Sequence, residues 1–84
     1  MNPTHFYVKN EWLEIPLDGD SIVQVLKGPI FLTYGSVPVS DRDAFIITDA
    51  ASVRGITKIY VKTAANNRVN SEIVVGDTVE RVLG

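Results

Sequence analysis

The stretch Thr57-Lys-Ile-Tyr-Val-Lys-Thr63 decides the fold class of this chain. Successive side chains of an extended segment point to opposite faces. Ile59, Val61 and Thr63 therefore share one face, and Tyr60 shares the other with two lysines. This alternation is typical of a strand with one face toward a core. We predict a strand over residues 57–63, with Tyr60 facing outward.

Similar strand patterns occur on both sides of this stretch. Short apolar or β-branched runs are separated by Gly, Pro, Asp or Asn, which favour turns. An Asp-Gly pair within residues 18–20 predicts a tight hairpin turn, and further turns are predicted at 27–29 and 64–68. Residues 35–43 read as a loop, and residues 49–55 are ambiguous, since 50–54 is compatible with one helical turn. The predicted strands are 12–17, 22–26, 30–34, 45–48, 57–63, 71–75 and a last short segment at 78–83.

The spacing of these segments predicts an all-β fold. Six to seven short strands in 84 residues match a small antiparallel β-sandwich or barrel. Residues 1–10 are polar and contain a proline, so we expect an extended N-terminal arm that orders against a partner. The predicted organisation is an arm over residues 1–10 and a single β domain over residues 11–84.

Composition excludes several classes of protein. The formal net charge is −2, with acidic and basic residues interspersed, which lacks the basic footprint of a nucleic-acid binder. No apolar run reaches the length needed to span a membrane, and the N-terminus has no signal-peptide pattern. The chain has no cysteine, so disulfides and thiolate metal sites are excluded. We expect synthesis in the cytoplasm, with no nucleic acid or membrane as partner.

Two predicted strands, 22–26 and 30–34, are apolar on both faces. A sheet with one solvated face does not need a second apolar face. Either these strands pack against an identical subunit, or they are central strands covered by loops. Both readings remain open on the sequence alone.

The search for catalytic and ligand-binding residues finds none. His5 is the only histidine and falls in the predicted arm, so it lacks the packing that a catalytic histidine needs. The acid pairs at 18/20 and 41/43 lack the further ligands of a calcium loop, and turn formation accounts for them. The six glycines form no phosphate-binding cluster. The sequence predicts no enzyme activity, no cofactor and no metal site.

Five residues are candidates for an interface. Trp12 and Tyr60 are amphipathic aromatic residues on predicted outward faces, and such residues are enriched where proteins meet. The same rings could form a platform for a sugar, but we favour the interface. Arg42, Arg54 and Arg68 lie in predicted loops and are candidate polar anchors, although a loop arginine is usually a solvated charge.

The second half of the chain resembles small all-β virion proteins of tailed bacteriophages. The resemblance is one of composition and order, and it covers residues 44–47, 58–63, 64–67 and 73–75. It implies a capsid decoration (cement) subunit, or a head-fibre or tail-associated subunit. Such proteins act as symmetric oligomers, commonly trimers, on a larger shell, and the resemblance carries over no catalytic residues.

The sequence therefore predicts a non-enzymatic virion structural protein. Its expected partners are copies of itself, as in a trimer, and the major capsid protein or another virion protein. The expected location is the virion, after synthesis in the host cytoplasm. The alternative functions are a fibre- or tail-associated subunit and a small carbohydrate-binding module.

Overall fold

The computed structural model describes residues 3–35, 44–65 and 70–77, and this part of the chain is all-β. Within it there is no helix, and so none long and apolar enough to cross a membrane. The strands are β1 (Thr4–Val8), β2 (Leu13–Pro16), β3 (Ser21–Lys27), β4 (Ile30–Tyr34), β5 (Phe45–Ile47), β6 (Ala50–Val53), β7 (Lys58–Thr63) and β8 (Ser71–Asp77).

The strands form two four-stranded antiparallel sheets. Sheet A has the order β1-β8-β3-β6, and sheet B has the order β2-β7-β4-β5. Every connection between consecutive strands changes sheet except the one from β4 to β5. The turn at residues 18–20 was expected to close a hairpin, and this was wrong, because it links β2 in sheet B to β3 in sheet A. The all-β class and antiparallel pairing are confirmed, and residues 3–35, 44–65 and 70–77 alone contain eight strands, where six or seven were expected.

One hydrophobic core draws on both sheets. Sheet A contributes Val8, Val23, Val53, Ile73 and Val75, and sheet B contributes Ile15, Ile30, Leu32, Ile59 and Val61. The alternation predicted for β7 is confirmed, since Ile59 and Val61 are fully buried and Thr63 is 2% exposed. Burying these side chains is the main favourable contribution to folding.

The N-terminal residues form a strand where the sequence predicted an arm. Thr4–Val8 pair along their whole length with β8, from Thr4 opposite Val75 to Val8 opposite Ser71. Val8 is fully buried and Phe6 packs against the core. The outward residues of this strand are polar or amphipathic, which hid the alternation. The predicted arm was therefore wrong for residues 4–8.

The ambiguous segment around residue 50 is also a strand. Ala50–Val53 pair with β3, with Ser21 opposite Val53 and Gln24 opposite Ala50. Alanine favours helices over strands, so pairing with β3 and burial of Val53 override the local preference. The possible helical turn was wrong. The last predicted segment, 78–83, lies outside the described residues, as do most of the loop at 35–43 and of the turn at 64–68.

A buried polar junction joins the two sheets at one end. Thr63 of β7 and Ser71 of β8 are hydrogen-bonded through their hydroxyl oxygens, 2.7 Å apart. The Ser71 hydroxyl also donates to the Pro29 carbonyl at 2.8 Å, and the Ala64 amide donates to the same carbonyl at 3.0 Å. Because buried polar groups need partners, this junction fixes how the connection from β3 to β4 crosses between the sheets.

Candidate functional site

Both sheets end on the same side of the molecule with strands that are consecutive in the chain. β5 is the last strand of sheet B and β6 is the last strand of sheet A, and only residues 48 and 49 separate them. A groove of about 480 Å³ opens between the two edges. Its walls are inner-face residues: Leu32, Tyr34, Phe45 and Ile47 from sheet B, and Ala51 and Val53 from sheet A. None of the residues that the structure describes covers the core along this side, which we call the open edge.

Large apolar side chains are concentrated at the open edge. Phe45 is 59% exposed and Ile46 is 64% exposed. Tyr34, at the end of neighbouring β4, is 53% exposed. Single exposed apolar residues are ordinary, but several together mark an interaction site or an aggregation hazard.

The local sequence explains why this edge is open. Sheet edges are usually guarded by charged residues, proline or a bulge, which discourage pairing with another chain. β2, an edge on the other side, carries Glu14 and Pro16. β5 and β6 contain no charged residue and no proline. Ser52 of β6 and two residues that follow this strand, Arg54 and Ile56, complete the lining of the groove.

A second apolar feature crosses the outer face of sheet B. Lys62 is opposite Phe31, and Phe31 is opposite Ile46. On the other side of Lys62, its amine lies 5.6 Å from the centre of the Trp12 ring. We call Trp12, Lys62, Phe31 and Ile46 the apolar row, after its three apolar members. It runs from the β2 side of sheet B to the open edge. Phe31 and Trp12 are half-buried, so the row is a shallow surface rather than a pocket.

A hydrogen-bonded cluster lies beside the apolar row. The Tyr60 hydroxyl donates to Glu14 at 3.0 Å, and the Lys58 amine lies 3.4 Å from the same carboxylate oxygen. The hydrogen bond from Tyr60, followed by the contact with Lys58, lowers the pKa of Glu14 below its ordinary value of 4.5. Tyr60 and then Glu14 raise the pKa of Lys58 above its ordinary value of 10.5. Both charged groups are thus held in their ionised forms, in an arrangement that pins the tyrosine ring to the sheet.

The outer face of sheet A carries both polar and aromatic side chains. The His5 Nε2 atom lies 3.2 Å from the Glu72 carboxylate, and the His5 ring meets Tyr7 edge to face at 4.8 Å. Gln24 is exposed in the centre of this face. Near the β1–β2 connection, Tyr7 and Trp12 contribute to a smaller groove of about 210 Å³. Charged and aromatic side chains are therefore mixed on both outer faces.

No constellation of catalytic or metal-ligating groups is present in the part of the chain that the structure describes. Residues 3–35, 44–65 and 70–77 contain no group of three acidic, histidine or cysteine side chains placed to hold a metal ion. Asp20 of the first acid pair accepts a hydrogen bond from the Gly55 amide at 3.2 Å. This bond joins the β2–β3 connection to the β6–β7 connection and is not the local turn hydrogen bond that was expected for this residue. Asp41 and Asp43 lie outside the described residues.

The five interface candidates fare differently. Arg54 is exposed and borders the open edge, and Trp12 is half-buried at one end of the apolar row. Tyr60 lies on the outer face, as predicted, but it is only 8% exposed, which leaves little of its ring for a partner. Arg42 and Arg68 lie outside the described residues. Sequence reasoning missed Phe45 and Ile46, because the absence of charge in both short strands points to an interface only once the strand order is known.

Comparisons of the chain with protein-family models, with curated proteins and with solved structures found no match. No relative therefore supplies a function.

Proposed function

We propose that this chain is a non-enzymatic structural subunit of a virion. Its most specific form is a capsid decoration subunit, a small β-sandwich that stabilises a phage shell by covering apolar surface between copies and on the shell. A fibre- or tail-associated subunit would use the same surfaces. The virion assignment comes from the resemblance of residues 44–47, 58–67 and 73–75 to small phage structural proteins.

One observation carries the assembly part of this proposal. Phe45, Ile46 and Tyr34 are each more than half exposed, and they cluster at the open edge. A domain of 84 residues has little surplus stability, so leaving a side of its core uncovered is costly unless a partner covers it. Binding to the folded state then adds stability in proportion to the logarithm of partner concentration. The apolar row offers a second, flatter contact surface of the kind that suits a shell.

Density-gradient fractionation of virus particles tests this proposal. Particles are purified from the culture in which the gene is expressed, and the chain is quantified in each fraction by mass spectrometry. The expected result is co-migration with intact particles at a fixed ratio to the major shell protein. Recovery of the chain only in the particle-free fractions would sink the proposal.

A small carbohydrate-binding module is the second candidate function, and the smaller groove favours it. Tyr7 and Trp12, two aromatic side chains, line the smaller groove together with Lys9 and Glu11. Aromatic rings stack on sugars, and adjacent charged groups accept or donate hydrogen bonds to hydroxyls. A glycan array tests this function. The unaltered chain should bind a glycan on the array, and each of the variants Tyr7→Ala and Trp12→Ala should abolish that binding. An array without any bound glycan excludes it.

A further inference from the structure

We propose that the open edge is a twofold interface, in which β6 pairs antiparallel with β6 of a second copy of this chain. The contact extends sheet A from four strands to eight across the two copies. This inference deepens the proposed function and rests on it, because it names the surface through which copies of an assembling subunit meet. It also fixes the symmetry of that contact as a dimer.

The hydrogen-bonding pattern of β6 supplies the first support. The Val25 amide donates to the Asp49 carbonyl at 2.7 Å, one step beyond the paired residues Gln24 and Ala50. Val25 and Asp49 are therefore a hydrogen-bonded pair of the antiparallel ladder. Hydrogen-bonded pairs alternate with non-hydrogen-bonded pairs along such a ladder, so they recur at every second residue. The backbone groups of Ala51 and Val53 therefore face β3. Those of Ala50 and Ser52 point away from sheet A, where the described residues offer them no partner strand.

The side chains of β6 permit a close approach by another strand. Ala50, Ala51 and Ser52 are small, and none carries a charge. Antiparallel pairing centred on Ser52 places Ser52 opposite its own copy and Ala50 opposite Arg54. In this register the outward backbone groups of the two copies face each other, as a ladder requires.

Charge complementarity selects a second copy of this chain as the partner. Asp49 precedes β6 and Arg54 follows it. Both are exposed, and neither forms an ion pair with a described residue. In the register centred on Ser52, Asp49 of each copy lies opposite Gly55 of the other, next to Arg54, so the antiparallel arrangement brings opposite charges near each other at both ends. A parallel arrangement would bring like charges together.

The extent of the contact includes the groove as well as the strand. The four residues of β6 span only about 14 Å. Pairing of this strand alone buries too little surface for a stable dimer, since specific interfaces bury about 800 Å² per partner. A twofold axis beside Ser52 also sets the β5 edges of the two copies against one another, because β5 and β6 lie on the same side. Phe45 and Ile46 of each copy are then covered by the same residues of the other. One contact therefore both covers the exposed part of the core and provides hydrogen-bond partners for the outer edge of β6.

Sedimentation velocity of the purified chain over a range of concentrations tests the inference. The expected result is a reversible monomer–dimer equilibrium. Ser52→Pro removes an amide that points away from β3, so it leaves the pairing with β3 intact, and edge strands tolerate proline at such positions. We expect it to weaken dimerisation about tenfold or more. Gln24→Lys, on the outer face of the central strand β3, is the matched control and should dimerise as the unaltered chain does.

A charge exchange tests the same contact without proline. Asp49→Arg and Arg54→Asp each place like charges at both ends of the paired strands, so each should weaken the dimer. The double variant restores opposite charges and should recover most of the affinity. A monomer at all concentrations, a trimer, or an undiminished dimer in Ser52→Pro would each overturn the inference.

The two proposals fail in distinguishable ways. A dimer that Ser52→Pro disrupts, in a chain that never co-migrates with particles, supports the interface and removes the virion function. A chain that co-migrates with particles but sediments as a monomer, with Ser52→Pro bound to particles equally well, supports the function and removes the interface.

Discussion

Gly28 illustrates how a single backbone position holds the two sheets together. Its φ is +70°, in the left-handed region that glycine enters without strain. A Cβ there would lie 2.9 Å from the Ser71 hydroxyl oxygen, which the junction with Thr63 and Pro29 holds in place. Glycine is therefore required at this crossing for two reasons, backbone conformation and space.

We predict that Gly28→Ala destabilises the fold by about 2–4 kcal/mol, combining left-handed strain with a disrupted buried hydrogen bond. Gly55→Ala is the matched control: its φ is +69°, and nothing lies within 4 Å of an added Cβ. It should cost only about 1–2 kcal/mol from backbone strain. Urea unfolding of the two variants measures the difference. Equal losses would mean that the contact with Ser71 contributes nothing.

The cluster of Glu14, Lys58 and Tyr60 gives a pH-dependent contribution to stability. The lowered pKa of Glu14 stabilises the folded state above about pH 4.5, and this contribution is lost as the pH falls through the lowered folded value. The raised pKa of Lys58 stabilises the folded state below about pH 10.5, and its contribution is lost as the pH rises through the raised folded value. Between these limits both contributions are present.

Tyr60→Phe removes the hydrogen bond that is the largest cause of the Glu14 shift. The pKa of the Glu14 carboxyl should rise toward 4.5 in this variant, and an NMR titration of that carboxyl carbon measures it. Tyr34→Phe, at an exposed tyrosine on another strand, should leave the Glu14 titration unchanged. A Glu14 pKa that does not move in Tyr60→Phe would show that Lys58 alone causes the shift.

At the scale of elements, the strands that were predicted correctly have a clear pattern over five or more residues. β7 alternates between core-facing and outward residues, β4 consists mostly of β-branched and aromatic residues, and both were predicted at or near their observed bounds. β1 and β6 were missed for different reasons. In β1 only Phe6 and Val8 pack toward the core, which is too short a pattern to recognise. In β6 the residues Ala-Ala-Ser favour no strand, and β3 imposes the conformation.

The open edge was not predictable, because an edge is a property of sheet order. The crossing connections place β5 and β6 at the ends of different sheets, and nothing in residues 45–53 encodes which neighbours they lack. Their missing charges become meaningful only once the order is known. By contrast, the outward face of β7 was predicted from local alternation, although the burial of Tyr60 depends on Glu14, 46 residues away in sequence.

Replacing Val8 distinguishes a strand from an arm at the N-terminus. Val8 is fully buried opposite Ser71, so Val8→Ala should lower the free energy of unfolding by about 2 kcal/mol through lost burial and a residual cavity. Leu26→Ala removes a larger side chain that is 53% exposed and should change stability by less than about 0.5 kcal/mol. Chemical denaturation compares the two. A Val8→Ala variant as stable as the unaltered chain would restore the arm.

At the scale of the whole molecule, the two outer faces have separate roles in the proposed assembly. The open edge serves contacts between copies, and the apolar row on sheet B faces the shell. The proposed assembly leaves the outer face of sheet A, which carries His5, Glu72 and Gln24, in solvent. In this proposed arrangement the subunit has one face in solvent, one face that attaches to the shell and one edge that contacts a second copy of the chain.

This division predicts that substitutions at the two ends of the apolar row differ in their effects. A substitution at one end should reduce attachment to the particle alone, and a substitution at the other end should reduce both attachment and dimerisation. Trp12→Ala removes the ring that carries Lys62, and Trp12 lies on the side of sheet B away from the open edge. It should lower the number of copies per particle and leave the dimer unchanged. Ile46→Lys should reduce both, because Ile46 belongs to the row and to the open edge. Gln24→Lys, on the solvated face, should change neither.

Quantitative mass spectrometry of purified particles gives the copy number, and sedimentation of the same variants gives the dimer affinity. The two readouts must separate for Trp12→Ala if the apolar row is an attachment surface of its own. Loss of copies in Gln24→Lys, with none in Trp12→Ala, would mean that sheet A faces the shell. The orientation of the subunit would then be reversed, while the pairing through β6, which lies in the plane of the sheets, would be compatible with either face.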